Sequence, residues 1–216
     1  MRALLSWSGG KDGAFALGEL RARGEVEVAG LLTTVWEGAR RVAIHGVREE
    51  LLDAQAAAVG LPVVKVPLPY PCANETYEAR TGETLAAAGV DAVAFGDLFL
   101  EDIRRYREAL CARVGLEPLF PLWGRDTGAL ARAMIASGLK ARLVCVDTRH
   151  LSRAFAGRAF DEALLADLPA GVDPCGERGE FHTFVHAGPP LAAPLPVEVD
   201  ALDERDGFVF ADLRLL

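Results

Sequence analysis

Short continuous apolar runs alternate with helix-spaced segments from the first residues onward. Arg2–Ser6 reads as a buried strand, and Gly13–Arg23 as a helix closed by Gly24. Glu27–Val35, rich in β-branched residues, predicts a second strand. Val47–Val59 places Val47, Leu51, Leu52 and Ala58 at helical spacing and stops at Gly60. Leu61–Leu68 (LPVVKVPL) reads as a third strand and Glu75–Ala88 as a third helix before Gly89. Val90–Asp97 is the fourth strand, and Glu101–Val114 an amphipathic helix ended by Gly115. Asp126–Ser137 is a further helix, and Ala141–Thr148 (ARLVCVDT) the fifth strand. Strands and helices alternating at these lengths predict an α/β, doubly wound, mainly parallel sheet with right-handed crossovers and both faces covered.

After about Gly171 the period breaks. Short strand-like runs mix with Gly and Pro, and GFVFADLRL closes the chain as another strand. The expected division is an α/β domain over 1–150 and a smaller β-containing appendage over 151–216. Composition narrows the classes. The 216 residues are 51% hydrophobic and 25% charged, enough for one substantial core. No apolar run is long enough to span a membrane, and the N-terminus lacks the order of a signal peptide. A net charge of −8 argues against a surface devoted to nucleic acid. Cys72, Cys111, Cys145 and Cys175 form no C-x-x-C pair, which argues against a zinc site or disulfide framework and fits a cytoplasmic protein.

The segment SWSGGKDG (Ser6–Gly13) is where chemistry enters. In a doubly wound sheet, ligands sit beyond the C-terminal strand ends at the switch point. Consecutive glycines let backbone N–H groups converge on an anion, and the following helix adds its positive end. Lys11 then offers a mobile cation to phosphate, and Asp12 a ligand for Mg²⁺ or a substrate hydroxyl. A Walker loop would need glycine where Leu5 stands, and G-x-G-x-x-G is not matched. The competing reading is a glycine-rich turn with no ligand.

SGGKDG (Ser8–Gly13) resembles the S-G-G-x-D-S pyrophosphate loop of the N-type ATP pyrophosphatases, which cleave ATP to AMP and pyrophosphate. FGDLFLEDIRRYRE (Phe95–Glu108), PLFPLWGRD (Pro118–Asp126) and CGERGEFHTFV (Cys175–Val185) narrow the resemblance to the diphthine–ammonia ligase branch, through most of the chain to about Pro190. The resemblance implies a five-stranded sheet of order 3-2-1-4-5 with the first strand central. It also implies ATP and Mg²⁺ as cofactors, bound by Ser6, Ser8, Gly9, Gly10, Lys11, Asp12, Gly13, Thr33, Thr34, Gly96 and Asp97. One departure is Gly13, where the family usually has serine.

Other candidates have bland readings beside the functional ones. Asp97 could ligate metal or simply cap the next helix. Thr33 and Thr34 could face the nucleotide or only fill a strand. Arg104 matches the family's arginine for an acidic substrate or pyrophosphate, but such charge runs are usually solvated faces. Asn74 and Tyr77 resemble the family's N-x-x-Y segment. His182 and His186, four apart on a strand, lie about 13 Å from one another and cannot share a metal. Glu177 and Glu180 flank Gly179 on a turn, with His182 and Thr183 behind, and suit acid–base work or capture of the acceptor or an ammonium; a solvated turn is the alternative.

The expected activity is therefore an ATP-dependent, amide-forming ligase that adenylates a carboxylate and passes it to ammonia or an amine. Lys11, Asp12, Glu177, Glu180 and His182 are the expected catalytic set. The family acceptor is a modified histidine on a translation factor; the compact chain leaves a small metabolite as the other acceptor class, and a homo-oligomer stays open. Two rivals are a tRNA-modifying pyrophosphatase, which would be expected to carry catalytic cysteines or a basic RNA-binding domain, and a nucleotide sensor without turnover.

Overall fold

In the computed structural model, which describes residues 1–216, the first half of the chain is β1 (Arg2–Ser6), α1 (Lys11–Arg23), β2 (Glu27–Trp36), β3 (Arg41–Val42), α2 (Glu49–Val59), β4 (Val63–Leu68), α3 (Asn74–Ala87), β5 (Ala92–Ala94), α4 (Glu101–Arg113) and β6 (Glu117–Leu119). Then come α5 (Thr127–Ala136), β7 (Lys140–Asp147), α6 (Glu162–Asp167), β8 (Phe181–Ala187), β9 (Val197–Arg205) and β10 (Phe208–Leu215). No helix is long and apolar enough to cross a membrane.

β1 is the central strand. It pairs in parallel with β2 on one side and β5 on the other; β4 continues beyond β2 and β6 beyond β5, all parallel. The parallel order is thus β4-β2-β1-β5-β6, with β3 added antiparallel to the far end of β2. Both faces of this sheet are buried, and β1 shows why its residues read as a continuous apolar run. Leu5 points into a cluster with Leu17 and Leu20 of α1 and Leu51 and Leu52 of α2. Leu4 points the other way, into a cluster with Leu85 of α3 and Cys111 of α4. Helices on both faces of a parallel sheet leave no strand face for water.

The second sheet is antiparallel, in the order β8-β7-β10-β9. Its inner residues Leu143, Val146, Phe184 and Val185 join the same cluster as α1 and α2, so the two sheets share one core. Here the structure corrects the sequence reading. The strand at 141–148 belongs to this antiparallel sheet, and the fifth parallel strand is the three-residue β6. The order around β1 is unchanged, because β6 takes the position beside β5. A helix, α5, separates β6 from β7, and the chain is then free to leave the parallel sheet.

Candidate active site

A cleft of about 740 Å³ opens at the C-terminal end of β1. Ser6, Ser8, Gly10, Lys11, Asp12 and Gly13 form its floor, Thr33 and Thr34 one wall, and Gly96 and Asp97 the other. His182 and Thr183 of β8, with Glu177 of the turn before it, close it. Residues from both sheets therefore meet at the switch point that topology designates.

The loop between β1 and α1 is held open by contacts from behind. Gly9 has φ +86°, and an added Cβ would lie 3.0 Å from Gln55 Oε1 and 3.1 Å from the Phe184 ring. Its carbonyl accepts from Val185 N at 2.8 Å and from Gln55 Nε2 at 3.0 Å. Gln55, fully buried on α2, also donates to the Val185 carbonyl at 2.6 Å and accepts from Trp7 Nε1 at 2.7 Å. Gly9 thus faces the clamp and the other loop residues face the cleft. Thr183 Oγ1 accepts from Lys11 N at 3.0 Å. The next two N–H groups of the first helical turn, on Asp12 and Gly13, make no hydrogen bond within the protein. They are two of the orphan donors every helix start leaves, on residues that line the cleft, and such a helix end favours an anion. Gly96 is a close-approach glycine: a Cβ there would sit 3.1 Å from the backbone of Asp12 and Gly13.

Lys11 is not the mobile cation that loop composition suggests. Its side chain is 2% exposed. The ammonium donates to Asp12 Oδ2 at 2.9 Å and Oδ1 at 3.1 Å, and to the Cys175 carbonyl, and it lies over the Phe160 and Phe181 rings. Burial works against its charge, but Asp12, with Cys175 and Glu177 also raising it, outweighs that effect and its pKa is raised. Lys11 is thus a fixed charge beneath the loop, tied to the turn that carries Glu177.

Glu177 and Glu180 do not act as a pair. Glu177 Oε1 accepts from Leu98 N at 2.7 Å at the cleft edge, and burial, reinforced by the charges of Asp12 and Asp97, pushes its carboxyl up to about 7. Glu180 is 2% exposed and turned away from the cleft. Its carboxylate accepts from Asp173 N and Arg178 N, both at 3.0 Å, and so ties the turn together. Thr183, expected on substrate, is likewise committed to Lys11 N, and the Thr33 hydroxyl donates to the Trp7 carbonyl at 2.6 Å.

Arg104 also lies outside the cleft. It pairs with Glu108 at 2.8 Å and stacks over Phe120 and Trp123. The α4 arginine that lines the cleft is Arg107, three residues on. Its Nη1 donates to the Tyr77 hydroxyl at 2.9 Å, and its Nε lies 3.6 Å from Asp97 Oδ2. Neither Asp97 Oδ2 nor Arg107 Nε has a hydrogen-bond partner, although both are buried. Burial raises the Asp97 pKa. Asn74 accepts from the Tyr106 hydroxyl at 2.8 Å, so the N-x-x-Y segment lines the same wall.

His182 meets His45, a residue without any local motif, at a ring-centroid distance of 4.3 Å. Burial lowers both pKa values, His45 to about 4 and His182 well below the usual imidazole value, so both rings are neutral acceptors or donors near neutral pH. His186 does not reach the cleft. The helical spacing of Ile103, Arg107 and Leu110 could have identified Arg107 from sequence; nothing local marks Gln55 or His45.

Comparison with known proteins adds the family. Residues 1–118 match the model of the diphthamide synthase N-terminal domain, and residues 126–206 that of its C-terminal domain. A diphthine–ammonia ligase of Danio rerio is 32% identical over 98% of this chain and 90% of its own length. The Homo sapiens protein of the same name is 37% identical over 44% of this chain and 38% of its own length. The Schizosaccharomyces pombe one is 34% identical over 44% of this chain and 16% of its own length. A solved structure of a predicted tRNA methyltransferase subunit from Methanocaldococcus jannaschii superposes with a TM-score of 0.49 at 16% identity, covering 88% of this chain and 98% of that one.

Proposed function

Because the chain belongs to the diphthine–ammonia ligase family, we propose that it uses ATP to activate a carboxylate and converts it to an amide with ammonia, with the diphthine named for its relatives as the acceptor. The acceptor carboxylate attacks the α-phosphorus, the bond to the bridging oxygen breaks, and pyrophosphate leaves. Ammonia then attacks the acyl-adenylate carbonyl, loses a proton, and expels AMP.

One observation carries the reading: Asp12 and Gly13, whose N–H groups have no hydrogen-bond partner within the protein, line the cleft together with Glu177. Preorganised donors of this kind stabilise charge as it develops on a leaving pyrophosphate. Lys11, fixed beneath them, adds positive potential without moving. Glu177, poised near neutrality, is the group to take the proton that ammonia releases. His182 and His45 stand beside it as neutral partners, and Arg107 with Tyr77 is placed to orient the acceptor carboxylate. These acceptor-side groups come partly from the C-terminal subdomain, taken from residue 151 onward. Glu180 acts through the turn, holding Glu177 and His182 in place.

For Mg²⁺, the buried and unpartnered Asp97 Oδ2 and the neighbouring Asp12 supply suitable hard oxygens. No group of three or more protein ligands is assembled, which suits an ion completed by phosphate oxygens and water. When bound, the ion would neutralise charge on the triphosphate.

Mass spectrometry of a diphthine-bearing protein, incubated with this enzyme, ATP, Mg²⁺ and ammonium, tests the proposal. Conversion of acid to amide is expected; an unchanged acceptor with every component present overturns it.

A further inference from the structure

The cleft wall that carries His45 does not stand by itself. Ala43–His45 forms a tight turn attached to the end of β2, where Ala43 N donates to the Thr34 carbonyl at 2.9 Å. Within it, Ile44 has φ +68°, a left-handed conformation that a β-branched side chain disfavours, and it is 68% exposed. Backbone of this kind persists only where the surroundings over-determine it.

The surroundings are the C-terminal hairpin β9–β10. Asp212 accepts from Arg41 Nη1 at 2.8 Å and Nη2 at 3.1 Å, and from Arg48 Nε at 3.0 Å and Nη2 at 2.6 Å. Those arginines flank the turn on both sides, and Arg41 Nη1 also donates to the Gly46 carbonyl at 2.7 Å. The β9–β10 ladder breaks register between Asp212 and Leu213, leaving Asp200 as the extra residue. A bulge re-aims side chains, and Asp200 accepts from Arg48 Nη2 at 2.7 Å. Burial alone would raise the Asp212 carboxyl, yet the two arginines hold it at about 2. Phe210, two residues back, packs so closely that a Cβ on Gly46 would lie 2.9 Å from its ring.

We propose that Asp212 and Phe210 are positioning residues that hold the 43–46 turn in place, keeping His45 in contact with His182 as one wall of the cleft, next to the residue that anchors the phosphate loop. The chain of contacts continues from His182 to its neighbour Thr183 and so to Lys11 N. The C-terminal hairpin thereby reaches the phosphate loop without contributing a group to it. The affinity arm of the test rests on the reading that this cleft takes ATP; the placement of His45 does not.

With four histidines in the chain, the imidazole protons are resolvable by NMR. In the wild type the His45 and His182 signals should carry mutual ring-current shifts. Asp212→Ala should move both toward ordinary imidazole positions, leave His150 and His186 unmoved, and weaken binding of a non-hydrolysable ATP analogue by about tenfold. Phe210→Leu reads the same contact if Asp212→Ala does not fold, and Glu204→Ala, which removes an exposed β9 ion pair with Arg153, is the control. Unchanged His45 and His182 signals in both variants overturn the proposal, as does unchanged affinity in a variant whose signals have moved. If the wild type binds no analogue while the signals respond as described, the positioning holds and the ATP reading fails.

Discussion

The backbone N–H of Lys11 donates to the hydroxyl of Thr183 at 3.0 Å, so a strand of the antiparallel sheet holds the phosphate loop of the parallel one. Thr183→Val keeps the shape and removes the acceptor, leaving a buried donor unpaired. The expected cost is about 1–3 kcal/mol of stability, with Thr183→Ser close to wild type. Denaturant midpoints check this; equal midpoints for Thr183→Val and wild type would show that the bond is incidental.

Lys11 anchors the loop and the Cys175 turn together. Lys11→Ala should slow AMP release on the order of 10²-fold and should also lower stability, because Asp12 and the Cys175 carbonyl lose their donor. A rate within twofold of wild type would mean that the ammonium serves packing alone.

Glu177 sets a pH dependence whose sign follows from its raised pKa. Between about 4.5 and 7 the folded protein keeps a proton that the unfolded chain has lost. Its contribution therefore falls as pH rises through that window and levels off above it. Glu177→Gln removes this slope, so the variant should gain on wild type between pH 5 and pH 8 in thermal unfolding. In kinetics, kcat/KM should rise with an apparent pKa near 7. Parallel stability profiles for the two proteins would contradict the assignment.

Gly13 and Gly96 should behave oppositely. A Cβ at Gly13 meets only ordinary contacts, the Ser6 carbonyl and the Trp7 ring at 3.5 Å. Gly13→Ser should fold, gain up to about 0.5 kcal/mol from helix propensity, and bind an ATP analogue at least as tightly. Gly96→Ala drives a methyl into the Asp12–Gly13 backbone and should weaken the same binding. Calorimetric titration of both variants distinguishes this ordering from its reverse.

What was legible in the chain follows from where the information sits. Leu4 and Leu5, consecutive and both buried, announce a strand covered on two faces, and the glycines of Ser8–Gly13 announce a close backbone approach. The partner of β7 was not legible, because ARLVCVDT is as apolar as any strand of the parallel sheet. β6, three residues with a proline, is too short to show a period. Arg107 was readable from its spacing to Ile103 and Leu110; Arg104 attracts notice by matching the family's arginine in the same charge run. Glu177 and Glu180 sit on one turn, but only hydrogen bonding to Asp173 N and Arg178 N reveals that Glu180 faces inward. Gln55 and His45 come from elements far along the chain, and only tertiary packing brings them to Gly9 and His182.

The proposed cleavage falls between the α- and β-phosphates of ATP. ATP labelled at the α-phosphate, incubated with the protein, Mg²⁺, ammonium and a diphthine-bearing acceptor, should yield labelled AMP and an equal amount of pyrophosphate, in step with amide formed. Labelled ADP with orthophosphate would contradict that cleavage.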